Sequence, residues 1–139
     1  MHDLERFLAA QERDFDMAFG EIRRGQKLSH WIWYVFPQLR TLGRSDRAIF
    51  YGIEDLLEAR AYMDHPVLGP RYLACVRALL SHSTKPIETI MGGALDAKKL
   101  QSSLTLMTAA GAGDAVQRAL DTFFDGEMCA ETLDLLGDA

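Results

Sequence analysis

Only two of the 139 residues are cysteine and only four are proline. Cys75 and Cys129 stand far apart with no CxxC spacing, so no disulfide framework is indicated, and two small buried hydrophobes in a reducing compartment are expected. Long apolar runs are missing as well. The longest uninterrupted one extends from Trp31 to Phe36, far short of the ~20 residues that a membrane-spanning helix needs. The N-terminal stretch MHDLERFLAAQERDFDM is charged in its first turns and lacks a signal peptide's apolar core and small-residue cleavage site. The expectation is a cytoplasmic chain with no membrane span. Nor is there an excess of positive charge. Fifteen Lys and Arg face twenty Asp and Glu, a formal −5, which argues against bulk attraction to nucleic acid or anionic membrane.

Catalytic and cofactor signatures are equally scarce. Gly20 and Gly25 have P-loop spacing, but Gln26 stands where lysine is required, and the stretch ends a helix instead of joining strand to helix. Gly111 and Gly113 make a fragment of a dinucleotide fingerprint with Val116 in place of the third glycine. The histidines, His2, His30, His65 and His82, show no i,i+3 or i,i+4 pairing and no HExxH pattern. No GxSxG elbow surrounds Ser102 or Ser103. Neither a metal nor an organic cofactor is therefore expected.

What is present is a globular composition, 48% hydrophobic and 25% charged, in a length that suits one domain of about 100–200 residues. Residues 1–139 are read as one compact all-α domain of about seven or eight helices joined by short loops. A helical stripe from Leu4 to Ile22 is bounded by Asp3 as N-cap and Gly25 beyond its end. Ser45 is placed to cap a short helix through Tyr51, and Asp55 with Glu58 has capping-box spacing ahead of Leu56 to Met63. Pro70 is placed at a first helical position before the stripe of Tyr72, Leu73, Val76, Leu79 and Leu80. A short turn begins at Pro86. Asp96 is read as the cap of a helix reaching about Ala110, and Asp114 with Gln117 as a second capping box. A last amphipathic turn covers Thr132 to Leu136. The block Ser29 to Phe36 fits either a short helix stopped by Pro37 or a buried strand. The expected core includes Trp31, Val35, Phe36, Tyr72, Leu73, Val76, Leu104, Leu120 and Phe123.

Charge is spread unevenly. Between Ile22 and Ser45 stand Arg23, Arg24, Lys27, Arg40 and Arg44 with no acid, whereas beyond Arg118 there are six acids and no base. In KLSHWIWYVFPQLRTLGRS, cations, hydroxyls, an imidazole and an amide border an aromatic block, chemistry suited to phosphate and a flat ring. In DAKKLQSSLTL, the spacing puts Asp96, Lys99 and Ser103 near one helix face beside the stripe of Leu100, Leu104 and Met107. Against this stands a plainer account of each residue taken singly: Asp96 as a cap, Lys99 solvated, Ser103 permitting close helix packing, the tryptophans filling the core.

SHWIWYVFPQL, LGRS, EARAYMDHPVLGPR and DAKKLQSSLTL, in that order and spacing, resemble the successive motifs of the domain of unknown function family 1810, from Asp3 to about Leu136. The resemblance implies a mainly helical single domain, with Ser29 to Phe36 helical, and no established activity. The family pattern is met at Lys27, Ser29, His30, Trp31, Trp33, Phe36, Pro37, Gln38, Gly43 and Ser45. It continues at Glu58, Ala59, Tyr62, His65, Pro66, Leu68 and Gly69, then at Asp96, Lys99, Ser102, Ser103, Thr105 and Leu106. Met107 stands where the family usually has phenylalanine, an exchange a core accommodates.

A shared polar and aromatic cleft would account for the dispersed polar residues together. It would bind a small anionic, nucleotide-like ligand through Lys27, Trp31, Trp33, Gln38, Arg44, Lys99 and Ser103. Were turnover to accompany binding, His30 or His65 would serve as general acid or base, with Asp96 orienting it. The rival reading is a non-catalytic protein-interaction module with an exposed apolar patch. Oligomeric state is left open by the sequence.

Overall fold

The stripe beginning at Leu4 folds as α1 (Glu5–Arg24), which buries Phe7, Ala10, Ala18 and Ile22. Its end is set by Gly25, whose φ of 76° is left-handed and whose N–H returns to the Ile22 carbonyl at 2.9 Å. Asp3 is not the N-cap: Leu4 holds that position, and the Asp3 carboxylate instead accepts from the N–H of Glu5 at 3.1 Å. The computed structural model describes residues 3–137, so His2 lies outside the described residues.

The ambiguous block is a helix, but only one turn of it, α2 (Ile32–Val35). Proline disfavours helical backbone in the residue before it, and Phe36, at φ −125° and ψ 72°, has already left the helix ahead of Pro37. The chain then passes through a 3₁₀ turn, Arg40–Leu42. Beside it runs a single parallel bridge between Leu39 and Ile53. In α3 (Asp46–Phe50), Ser45 caps as expected, its hydroxyl accepting from Ala48 N–H at 3.1 Å. Asp55 likewise caps α4 (Leu56–Asp64) through Glu58 N–H at 2.9 Å. The Glu58 carboxylate reaches back one residue further, to Glu54 N–H at 2.7 Å, and pairs with Arg6 at 3.2 Å. Arg6 also donates to the Phe50 and Gly52 carbonyls, each at 2.9 Å, tying α1 to the loop after α3.

Helix α5 (Leu68–Leu80) starts two residues before Pro70, which is therefore its third residue. Proline is tolerated there because an N–H in the first turn has no intrahelical acceptor. A Cβ on Gly69 would lie 2.1 Å from the Met63 carbonyl oxygen, so only glycine allows the close junction of α4 and α5. After α6 (Ile87–Met91), helix α7 (Ala94–Ala109) begins earlier than expected. Gly93 holds its N-cap position, and Asp96 is its third residue, not its cap. The second capping box is also absent: Gly113 precedes α8 (Asp114–Phe124) without a side-chain cap, and the Gln117 amide donates to Asp121 at 3.1 Å. Helix α9 (Ala130–Gly137) closes the described chain.

The domain is all-α, with nine α-helices and no strand among the described residues. Helix α5 packs on α1, α4 and α8, and α7 on α4, α6, α8 and α9. Between these layers Trp31, Phe36, Tyr62, Tyr72 and Phe7 are fully buried. Phe7 meets Tyr62 edge-on at 5.0 Å, and Phe36 meets Tyr72 at 5.5 Å. Val35, Val76, Leu104 and Leu120 are buried as expected. Leu73 and Phe123 are only half-buried at the margin. Among the described residues no helix is long and apolar enough to cross a membrane.

Candidate functional site

The turn from Gly25 into α2 brings several of the polar motif residues onto one buried carboxylate. Glu21, on the last turns of α1, is 3% exposed. It accepts from Leu28 N–H at 2.8 Å, Ser29 N–H at 2.9 Å, Ser29 Oγ at 2.6 Å and Trp31 Nε1 at 2.9 Å. Burial opposes its ionisation, but these donors outweigh that penalty and hold the carboxyl at about 2. Lys27 closes the arrangement from the other side. Its ammonium donates to the Ser29 carbonyl at 2.5 Å, pairs with Asp96 at 2.8 Å and lies 4.9 Å from the Trp31 ring centre. Asp96 also pairs with Lys99 at 3.4 Å. Burial works against the Asp96 charge, yet Lys27 and then Lys99 keep its carboxyl below the ordinary 3.8.

Four other motif residues are likewise occupied. His65 Nδ1 accepts from the N–H groups of Val67 at 3.1 Å and Leu68 at 3.3 Å, satisfying backbone donors at the start of α5. Ser103 is fully buried, its hydroxyl 2.9 Å from that of Tyr72. Ser102 bonds Thr132 at 2.8 Å, and Thr105 accepts from Cys129 N–H at 2.9 Å, so the small polar run in α7 fastens the segment leading into α9.

The expected single cleft is thus divided. His30 is exposed and lines one cavity, Lys99 lines another, and His65 lines neither. The physical reason is that a buried polar group needs a partner. Lys27, Trp31, Asp96 and Ser103 meet that need within the fold.

Gln38, Arg44 and Lys99 are the sequence candidates that the fold does bring together. They line a cavity of about 360 Å³ with Lys98, above Ser102 and Cys129. The segment after Pro37 supplies Gln38, Leu42 and Arg44, and the first turns of α7 supply Leu95, Lys98 and Lys99. Arg44 is exposed and has no hydrogen bond or ion pair among the described residues. Lys98 pairs with Glu131 at 3.5 Å, but both side chains are more than half exposed, so solvent screens the contact. Leu95, 79% exposed, and Leu42 provide apolar rims. Trp33 stands behind Lys99, its ring centre 5.4 Å from the ammonium and 5.4 Å from the guanidinium carbon of Arg47. Its indole Nε1 is buried without a hydrogen-bond partner.

Sequence reasoning missed Lys98, Leu95 and Glu131. The only signal was the doubled lysine in DAKKLQ, which reads as a solvated face. Cys129 was expected as a buried hydrophobe; it is buried, and it also lines this cavity. No three His, Cys, Asp or Glu side chains converge as metal ligands among the described residues.

Comparison with known proteins agrees with the fold. The family model "Protein of unknown function (DUF1810)" matches residues 1–136. No curated protein matches the chain. A solved structure, the conserved hypothetical protein Rv1873 from Mycobacterium tuberculosis, is 40% identical over 97% of this chain and 96% of that one, with a TM-score of 0.93.

Proposed function

The chain belongs to the DUF1810 family, whose description names no activity, and from that premise we propose that it binds a small anionic, nucleotide-like ligand between Arg44 and the start of α7. The observation that carries this reading is the convergence of Arg44, Lys98 and Lys99 on one cavity in a chain of net charge −5. Arg44 has no competing partner among the described residues, and the Lys98 pairing is weak enough for a phosphate to displace. Leu42 and Leu95 offer apolar surface to a ring or sugar, and the volume falls in the usual range of about 300–1,000 Å³ for ligand pockets.

The reading is one of binding. His30 and His65 lie outside this cavity, and Asp96 is engaged by two lysines. A thermal-shift screen of nucleotides, sugar phosphates and ADP-ribose tests it. A specific ligand at a hundred times its Kd adds about 2.7 kcal/mol, a rise of roughly 5–10 °C for this length. That rise is expected to vanish in Arg44→Ala and in Lys98→Ala while the unliganded melt stays at the parent value. A blank screen overturns the reading and favours the protein-interaction module.

A further inference from the structure

The second cavity, of about 450 Å³, has walls from α1 and α3 and shares no lining residue with the anion pocket. Its chemistry differs in kind. Where three cations and one acid line the first, the charged residues here balance: Arg13 and Arg47 against Asp14 and Asp46.

The two acids are held differently. Asp14 accepts from the Tyr34 hydroxyl and, at 3.1 Å, from Arg13, and these contacts hold its carboxyl below the usual range. Asp46, the first residue of α3, is exposed and has no hydrogen bond or ion pair among the described residues. Next to it in sequence, the Arg47 guanidinium carbon lies 5.4 Å from the Trp33 ring centre, and neither that guanidinium nor the exposed His30 ring has a hydrogen bond or ion pair among the described residues. An aromatic wall completes the cavity. Phe50, 58% exposed, meets Tyr51 edge-on at 4.8 Å, and Tyr51 meets Tyr34 at 5.1 Å.

An anion entering this space would face Asp14 and Asp46, and a cation would face Arg13 and Arg47. A ligand with no net charge but two separated poles satisfies both signs at once. We propose that this cavity binds a free α-amino acid with a large apolar or aromatic side chain. Asp46 receives the ammonium, Arg47 and His30 the carboxylate, and Phe50 with Tyr51 the side chain.

Titration calorimetry of the intact chain with L-phenylalanine and L-leucine tests this, with phenethylamine and 3-phenylpropanoate as single-charge arms. Saturable binding of an amino acid is expected, at least about tenfold tighter than either single-charge analogue. Asp46→Asn should weaken the amino acid by about tenfold without weakening 3-phenylpropanoate, and Arg47→Gln should weaken the amino acid by about tenfold without weakening phenethylamine. Thermal melts of both variants at the parent temperature would show that the fold is intact. Absence of saturable heat with both amino acids overturns the proposal. So does equal binding of the single-charge analogues, or amino-acid binding that survives both substitutions. Arg44→Ala should leave the amino-acid isotherm unchanged, which separates this site from the anion pocket.

Discussion

Lys27 and Arg44 belong to the same acid-free basic stretch, yet the fold uses them in opposite ways. Lys27 is 9% exposed, and its ammonium has a carbonyl, a carboxylate and an indole face around it. Arg44 is exposed and has no hydrogen bond or ion pair among the described residues. The difference comes from elsewhere in the chain: α1 brings Glu21, and α7 brings Asp96, to the turn that carries Lys27. A cation met by a buried acceptor becomes architecture. One left beside a cavity stays available for a ligand.

This contrast breaks most decisively at Trp31. Trp31→Ala empties a fully buried site and removes a donor from Glu21, so a loss on the order of 3–5 kcal/mol is expected in chemical denaturation. A parent-like melt would mean that the turn is not part of the core. Lys27→Met comes next. It leaves the Ser29 carbonyl without this donor and Asp96 with only Lys99, a cost of about 2 kcal/mol. If Arg44→Ala cost as much, the division between the two cations would fail.

Local signals were legible in the sequence, and long-range partners were not. The stripe of α1, its glycine stop, the Ser45 and Asp55 caps and the burial of the tryptophan block all follow from spacings within one element. Asp96 was misread as a cap because an acid shortly after two glycines looks like one; its actual partner, Lys27, lies in another element. His65 looked like an acid–base candidate, and it is its place before α5 that makes it a backbone acceptor. Ser103 looked like a ligand contact on a polar face, but the face it shares is turned to Tyr72. Gln38, Arg44 and Lys99 could be named from their chemistry, while Lys98 and Leu95 needed the fold to show which surface they share.

Acid sharpens the same contrast. The carboxyl of Glu21 is held at about 2 in the folded chain against an ordinary 4.5. The folded state therefore binds fewer protons than the unfolded state, so this contribution is complete above the ordinary value and is lost as pH falls towards about 2. Asp96, also lowered, acts in the same direction. Urea denaturation at pH values falling from about 6 to about 2 should show falling stability, and Glu21→Gln should flatten that fall. An unchanged slope in the variant would remove Glu21 from the account. A smaller effect is expected at His65→Ala, about 1 kcal/mol for the lost acceptor at the start of α5.

The smallest stability effect is expected at Arg44 and Lys98, and it is the most informative about ligand binding. Neither side chain is buried, and the Lys98 contact with Glu131 is screened, so each alanine variant should melt within about 0.5 kcal/mol of the parent. Lys99→Ala is a different case, because Lys99 both lines the cavity and pairs with Asp96. It should lose some stability together with the anion response, whereas Arg44→Ala should lose the response alone. Charge reversal by Arg44→Glu carries the test further: it places an acid in a cavity that already contains Glu131, so an anionic ligand should be excluded while the fold persists. Retention of the ligand-induced melting shift in Arg44→Glu would assign the anion to some other surface and leave Arg44 a solvated side chain.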